Sequence, residues 1–317
     1  MSKKSQKGLV KKLDKAISSF VKDQKSKSAK DILPLMNQII EVLNDDSDKN
    51  DSASKINDQI YQESSIVTNS INLMPFFDQP TINALSTLLQ TTVRKYPDNS
   101  LPKYLMNHPS ECTTIFSYLE NQTISNTAHI LLRACLLSRD FTKYLFEKGY
   151  VGSFIQYLSG DFAKLAAAFG TYDAILNTHP DISAEFINSN WEIFQIQFKQ
   201  LLHSPNYLIP SNFLPILSNF LLHTESVSCF RKYLEDVENL QFIMLLLKNS
   251  SKRVVSQAYQ IFKLFVLNPR STPQIINALR KNKKQLVSFL SSFQIDDSNP
   301  SLEDEKQQLI QLIKSLQ

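Results

Sequence analysis

Residues 126–158, NTAHILLRACLLSRDFTKYLFEKGYVGSFIQYL, contain one unit of the pattern that decides the fold. The pattern predicts a long apolar helix, a shorter helix with Lys-Tyr-Leu, and a closing helix that ends in an apolar run. Residues 81–119 and 212–247 show the same order, and residues 165–202 and 254–290 fit it with weaker identity. The chain is therefore interpreted as a series of repeats of one helical motif.

The period of the repeat indicates the class of architecture. With Leu88, Ile130, Asp173, Ile216 and Ile261 as equivalent points, the steps are 42, 43, 43 and 45 residues. HEAT and armadillo units have a period of about 40–47 residues, and each buries its apolar face only by stacking on its neighbours. We therefore predict an all-α protein, a right-handed superhelix (solenoid) of armadillo/HEAT-like helical repeats with a horseshoe shape.

The composition along the chain suggests how this single helical-repeat domain, residues 1–317, is organised. Residues 1–43 are predicted to form a basic N-terminal helical cap, and residues 44–54 an acidic, mobile linker. The repeats then occupy residues 55–294, and residues 295–317 are expected to form a C-terminal capping helix with Leu309, Leu312, Ile313 and Leu316 on its packing face.

Few features of the sequence are typical of an enzyme. The chain has only five glycines and is 42% hydrophobic. Because phosphate-binding loops and tight β-turns require glycine, a nucleotide-binding α/β fold or a β-barrel is disfavoured. The sequence also lacks CxxC, HExxH and G-x-S-x-G motifs. We therefore expect no catalytic residues and no cofactor.

A partial calcium motif is present but lacks two of its requirements. The sequence from residue 46 resembles the start of an EF-hand loop, with Asp51 at the position that requires glycine and Asn57 at the position that requires a bidentate glutamate. We therefore expect no metal site and interpret this segment as an acidic linker.

The cysteines and the termini bear on cellular location. Cys112, Cys135 and Cys229 lie far apart, each in an apolar run, as is typical of small buried residues in a reducing compartment. Residues 1–7 lack the apolar region of a signal peptide, and no run reaches the roughly 18 apolar residues of a membrane span. A cytoplasmic protein without integral membrane association is expected.

Basic residues are concentrated in two places. Residues 1–30 contain ten lysines and two aspartates, although the whole chain has a net charge of only +4. We interpret this opening as a solvated helix face, with attraction to acidic lipid or nucleic acid as the alternative. The rest of the chain is not basic, which disfavours a nucleic-acid binder. Basic residues also recur in the C-terminal repeats, where a solvated outer face and a concave binding surface both remain open.

Several runs resemble a known family, called mouse protein 25 or calcium-binding protein 39. The match is close from about residue 110 to the end and loose in the first hundred residues. The runs that carry it are ISAEF (182–186), LLHSPNY (201–207), FRKYLEDVENLQFIMLLL (230–247), IFKLFVLNP (261–269), LVSFLSSFQ (286–294) and LEDEKQQLIQLI (302–313).

The resemblance implies a non-catalytic scaffold. Members of this family use the concave face of a helical-repeat horseshoe to bind and stabilise the active conformation of germinal-centre-type kinases or of a pseudokinase. A C-terminal hydrophobic pocket takes a Trp-Glu-Phe tail. Tyr207, Met244 and Lys281 match partner-contacting positions of the family, and Met244 corresponds to the tail pocket.

Four other partner-binding positions differ from the family pattern. Ser211, Pro215 and Thr224 stand where the resembled members have basic residues, and Val227 stands where they have phenylalanine. Loss of positive charge would weaken steering of an acidic partner. Pro215 is also expected to kink its helix or to shift its start, because proline lacks a backbone donor. The horseshoe and the pocket are therefore better supported than the identity of the partner.

Two other classes of function compete with this one. An armadillo-type adaptor would carry peptide cargo, or would organise a polarity or morphogenesis complex without kinase activation. Importin-type carriers tend to display tryptophan and asparagine arrays, whereas Trp191 is the only tryptophan here. An enzyme is the third class, and no residue pattern favours it. The sequence is compatible with a monomer when the protein is free.

Overall fold

A computed structural model of the protein describes residues 8–23, 30–45, 51–158, 162–292 and 300–316. These residues form α-helices joined by short turns and single 3₁₀ turns, and no strand occurs in any of these ranges. The prediction of an all-α protein is confirmed. Contacts between Cα atoms divide the chain into two compact units, Met1–His179 (unit 1) and Pro180–Gln317 (unit 2).

Unit 1 begins with four helices and continues with the predicted repeats. Its helices within the described ranges are α1 (Leu9–Asp23), α2 (Ile32–Asn44), α3 (Asp51–Gln62), α4 (Ile66–Leu73), α5 (Gln79–Lys95), α6 (Leu101–Asn107), α7 (Pro109–Ser117), α8 (Ser125–Cys135), α9 (Arg139–Glu147), α10 (Tyr150–Ser153) and α11 (Phe162–Asn177).

The long helices of unit 1 stack in chain order. Helix α5 packs against α2 on one side and α8 on the other, and α8 packs against α11. The equivalent points Leu88, Ile130 and Asp173 lie in α5, α8 and α11, so each marks the first helix of a repeat. The predicted period is therefore confirmed in this unit as a structural repeat.

Unit 2 continues the same motif. Its helices among the described residues are α12 (Pro180–Ser189), α13 (Trp191–Leu202), α14 (Leu208–Leu222), α15 (Val227–Glu235), α16 (Val237–Leu246), α17 (Lys252–Val266), α18 (Pro273–Lys281), α19 (Lys283–Ser292) and α20 (Pro300–Ser315). Helices α14 and α17, which contain Ile216 and Ile261, pack against each other.

The recurring Lys-Tyr-Leu motif has a structural reason. Its three copies lie in the short second helices α6, α9 and α15, and their leucines Leu105, Leu145 and Leu234 are all at most 1% exposed. Burying a leucine side chain contributes about 1.5–3 kcal/mol, so this position holds each short helix onto its repeat.

Helix α14 does not begin at Pro215, and the other expected effect of that proline, a kink, stays a prediction. It runs from Leu208 to Leu222 with Pro215 in its interior, so the helix neither starts at the proline nor ends there. Proline inside a helix costs about 3 kcal/mol. The flanking residues Phe213, Leu214 and Leu217 are fully buried, and their packing offsets that cost.

The predicted segment boundaries can be compared with the helices in part. Of the expected linker 44–54, Asn44 still belongs to α2, residues 51–54 already belong to α3, and residues 46–50 lie outside the described residues. The division into a single repeat domain with caps stays a prediction.

The C-terminal helix covers its neighbours with part of the face that was expected. Helix α20 packs against α19 and α17, and Leu309, Ile310 and Ile313 are at most 3% exposed. Leu312, expected on the packing face, is 43% exposed. The buried positions 306, 309, 310 and 313 share one arc of the helix, and Leu312 lies outside that arc.

The cysteines behave as the sequence predicts. Cys112, Cys135 and Cys229 are all free and buried. Burial raises the pKa of the Cys112 thiol and of the Cys229 thiol to about 11. None of the helices in the described ranges has both the length and the apolarity that crossing a membrane requires.

Candidate partner-binding surface

Three closing helices of unit 2, α13, α16 and α19, lie side by side and define a surface that we call the closing-helix surface. Polar contacts connect α13 to the start of α16: Lys199 Nζ lies 3.0 Å from Asp236 Oδ2 and 2.6 Å from Glu238 Oε2, and Gln195 donates a hydrogen bond to Asp236. Further along, the rings of His203 and Phe242 have centroids 3.8 Å apart.

The charges at this junction reinforce each other. Asp236 is the N-cap of α16 and accepts a hydrogen bond from the backbone N–H of Glu238 at 2.8 Å. Carboxylates near a helix N-terminus are favoured by the helix dipole. Partial burial alone would lower the pKa of Lys199, but the hydrogen bonds that its ammonium group donates to Glu238 and Asp236 outweigh this effect and raise that pKa. The junction therefore fixes the position of α13 relative to α16.

Apolar side chains stand exposed on either side of this junction. Ile193 and Ile196 of α13 are 57% and 59% exposed, and Leu245 of α16 is 61% exposed. On α13 the polar contacts are made by positions 195, 199 and 203, so the neighbouring face that carries Ile193 and Ile196 points to solvent. Exposed apolar side chains that share one face of a helix, as Ile193 and Ile196 do, are typical of an interaction surface.

A groove of about 320 Å³ separates α16 from α19. One face of α16 forms its first wall with residues at i, i+3, i+4 and i+7, and the second wall comes from α19. The lining residues are Gln241, Met244, Leu245, Leu247, Lys248, Asn282, Gln285, Leu286 and Phe289. The walls are thus mainly apolar, and the side-chain amides of Gln241, Asn282 and Gln285 among them can form hydrogen bonds that orient a ligand.

The charge around this groove is positive. Of the described residues that line it, none is acidic and Lys248 is basic. Lys281 immediately precedes the lining residue Asn282 and is exposed, as is Lys284. An apolar groove with lysines at its rim suits a short segment that combines large apolar side chains with a carboxylate.

The structure gives the exposure of the positions that the sequence singled out. Met244 lines the groove and is 9% exposed, and Lys281 ends α18 beside it. Tyr207, just before α14, is 56% exposed. Tyr207 and Lys281 are exposed, whereas Met244 is largely buried in the groove wall, and the binding role of all three stays a prediction.

The four divergent positions do not form one cluster with the groove. Ser211 is 1% exposed and Pro215 is half-buried, both within α14. Thr224 and Val227 are exposed beyond the C-terminal end of α14. A helix of 15 residues spans about 22 Å, so Tyr207 and Thr224 lie at opposite ends of α14.

Several residues of this surface were missed from sequence. Leu245 lies within the apolar run FIMLLL, whose even composition hides which side faces solvent. A signal was available in the polar residues at i−4 and i+3, Gln241 and Lys248, which share its face. Phe289 offered no such signal, because its partner wall comes from another repeat.

The partial calcium motif lies in part outside the described residues, since residues 46–50 are not included. Across the described ranges, no group of three or more histidine, cysteine, aspartate or glutamate side chains is arranged to hold a metal ion.

Comparison with known proteins identifies the family. The family model described as Mo25-like matches residues 1–317. The "Mo25-like protein" of Schizosaccharomyces pombe is 32% identical over 84% of this chain and 82% of its own length. The "Calcium-binding protein 39-like" protein of Mus musculus is 26% identical over 93% of this chain and 88% of its own.

Among solved structures, a chain from a study of Kap95p binding to RanGDP aligns with 94% of this chain and 40% of its own length. Its sequence identity is 10% and its TM-score 0.43, which is too low to inform on function. The family match covers the whole chain and the yeast relative covers more than four-fifths of it. The protein described here belongs to the Mo25-like family.

Proposed function

We propose that this protein is a non-catalytic scaffold that binds a protein kinase or pseudokinase of the germinal-centre type and stabilises its active conformation. The closing-helix surface of unit 2 would hold the kinase-like domain, and the groove between α16 and α19 would hold a Trp-Glu-Phe-like tail. Family membership supports the scaffold role, and the groove around Met244 is the observation that carries the proposal.

The groove has the chemistry that such a tail requires. Its volume of about 320 Å³ is at the lower end of the roughly 300–1,000 Å³ of ligand sites, which suits two aromatic side chains rather than a folded element. Met244, Leu245 and Phe289 supply apolar contacts to aromatic rings. Lys248 at the rim provides a charge partner for a glutamate or a terminal carboxylate.

The contact with the kinase-like domain is expected to be mainly apolar. Ser211 is buried, and Pro215 and Thr224 carry no charge, so the positive charges expected from the resemblance are missing along α14. Ile193, Ile196 and Leu245 are exposed instead. Binding of the cognate kinase should therefore depend less on ionic strength than a charge-steered contact would.

Activation would follow from a shift of population. A scaffold that binds only the active conformation moves the kinase toward that conformation by its differential affinity for the two states. No residue of the scaffold needs to touch the kinase's reacting atoms. The proposal is thus compatible with the absence of catalytic motifs in the sequence.

A labelled peptide that ends in Trp-Glu-Phe with a free carboxylate tests the groove by fluorescence polarisation. We expect Met244→Ala to weaken the peptide about 10-fold, because a buried methionine contact is lost. Leu245→Asp, at an exposed position that does not threaten folding, should weaken it at least as much. Leu222→Asp is the matched control, since Leu222 is 58% exposed at the far end of α14.

If both groove variants bind the peptide with unchanged affinity, the proposal that the groove holds the tail is wrong. The scaffold role is tested separately, by mixing the protein with each germinal-centre-type kinase of the same cell and measuring phosphorylation of a substrate. Activation of one of them is expected. Binding without any change in activity would favour the adaptor alternative, and neither binding nor activation would refute the proposal.

A further inference from the structure

The first helix of unit 1 carries its lysines in a single row. Lys11, Lys12, Lys15 and Lys22 of α1 are all exposed. At about 100° per residue these four positions fall within an arc of roughly 100°, so they form one ridge along the helix. Within the described part of the chain, none of the four has an ion-pair partner.

The opposite face of α1 is already occupied. Leu9, Val10, Leu13, Ile17 and Phe20 are at most 5% exposed, and α1 packs against α2 and α4. Val21 is the one large apolar side chain of α1 that is exposed, at 43%, so the helix has no continuous apolar face left to insert into another molecule. Any partner of the lysine ridge must be attracted by its charge.

The nearest carboxylate on the helix is used inside unit 1. Asp14 accepts hydrogen bonds from Ser65 N at 3.1 Å and from Ser65 Oγ at 2.8 Å, at the start of α4. Its charge thus favours the N-terminus of α4 rather than neutralising the ridge.

A groove of about 520 Å³ runs between α1 and α2 beside the ridge. Lys12, Lys15 and Ser19 form its α1 wall, and Pro34 and Leu35 contribute apolar surface from α2. Ala16, Asp31 and Gln38 complete the lining. Asp31 is the only carboxylate among the described lining residues, so a basic wall faces a mostly uncharged one.

We propose that unit 1 binds the surface of a bilayer that contains acidic phospholipid, through this lysine ridge and the adjoining groove. Juxtaposed lysines attract anionic headgroups over a Debye length, and each contributes about 5-fold in affinity. The sequence adds further lysines on both sides, since residues 1–30 contain ten. The groove offers the amide of Gln38 to a headgroup phosphate and the apolar surface of Pro34 and Leu35 to its glycerol portion.

A bilayer fits these observations better than a nucleic acid does. Residues 8–45 contain no arginine, tyrosine or tryptophan, and their one phenylalanine, Phe20, is 5% exposed. Base stacking on aromatic side chains or arginine is therefore missing. Lysine is a flexible point charge suited to a diffuse array of phosphates, and a straight ridge on one helix matches a plane.

Co-sedimentation of the full chain with vesicles tests the proposal. We expect binding to phosphatidylcholine vesicles that contain phosphatidylserine, loss of binding in 0.5 M NaCl, and no binding to phosphatidylcholine alone. Lys11→Gln with Lys15→Gln should lower the partition coefficient about 30-fold. The matched control is Lys143→Gln with Lys148→Gln, which removes the same charge from exposed positions elsewhere in unit 1.

Circular dichroism melting confirms that each variant is folded, which is expected because all four substituted lysines are exposed. Absence of binding to the acidic vesicles would overturn the proposal. So would an equal loss in the control variant, because the ridge would then have no special role. Ridge-dependent binding of a single-stranded oligonucleotide, without binding to vesicles, would assign the surface to nucleic acid instead.

Discussion

Asp236 provides a sharp test of how unit 2 holds its closing-helix surface together. Its Oδ1 caps α16 through the backbone N–H of Glu238, and its Oδ2 accepts from Lys199 and Gln195 of α13. The two roles can be separated by substitution. Asp236→Asn keeps a good N-cap acceptor and removes the charge, whereas Asp236→Ala removes both.

The structure sets the size of each effect. Loss of an N-cap costs about 1 kcal/mol. The side chains of Lys199 and Asp236 are 25% and 21% exposed, so solvent screens their attraction less than it screens a surface ion pair. A surface pair contributes about 0–1 kcal/mol, and we expect about 1–2 kcal/mol from this one. The free energy of unfolding should fall by about 1–2 kcal/mol in Asp236→Asn and by about 2–3 kcal/mol in Asp236→Ala.

Urea denaturation followed by tryptophan fluorescence measures this, because the single tryptophan, Trp191, lies in α13 of unit 2 and packs edge-on to Phe198. Thr272→Ala is the matched control: Thr272 caps α18 through Ile275 N without any charge pair, so it should cost about 1 kcal/mol. The loss of unfolding free energy in Asp236→Asn should become smaller in 1 M NaCl, because salt already screens the ion pair in the wild type. The loss in Thr272→Ala should not depend on salt. Equal destabilisation by the two Asp236 variants, independent of salt, would refute the reasoning.

Two further outcomes are expected. Burial lowers the pKa of His129 to about 4. Unit 1 should therefore lose stability as the pH falls from about 6.5 toward 4, because only the unfolded chain binds the proton in that window. Hydrogen exchange of α8 measures this loss; His129→Gln should remove it, and an unchanged pH profile in the variant would contradict the prediction. Pro215→Ala should raise the free energy of unfolding of unit 2 by about 1–3 kcal/mol, because it restores a backbone N–H that can donate to the carbonyl of Ser211. A loss of stability in urea denaturation would instead show that the packing around α14 is adapted to the proline.

The repeat architecture was accessible from sequence because it depends on local periodicity. A step of 42–45 residues places Leu88, Ile130, Asp173, Ile216 and Ile261 in the first helices of successive repeats. Each of those helices carries its apolar residues at helical spacing, and stacking of equivalent helices follows once each has a buried face. The short helices with Lys-Tyr-Leu were predictable for the same reason.

The candidate surface depended on information that periodicity does not contain. Leu245 and Met244 are adjacent in one apolar run, yet one is 61% exposed and the other 9%. Both line the groove between α16 and α19, so their difference depends on how closely helices from other parts of the chain cover each side chain. The groove is therefore a property of two helices, Val237–Leu246 and Lys283–Ser292, that are one repeat apart in sequence and adjacent in space.

The sequence by itself determined the helices, their period and the family, since these follow from residue spacing and from runs of matching residues. Only the tertiary structure decided that Pro215 lies inside α14, that Ser211 is buried and that Ile193 and Ile196 are exposed. The physical reason is the same in each case. Whether a side chain is covered, and whether the cost of a proline is offset, depends on packing against helices from other parts of the chain, and that free energy is not a property of the local sequence.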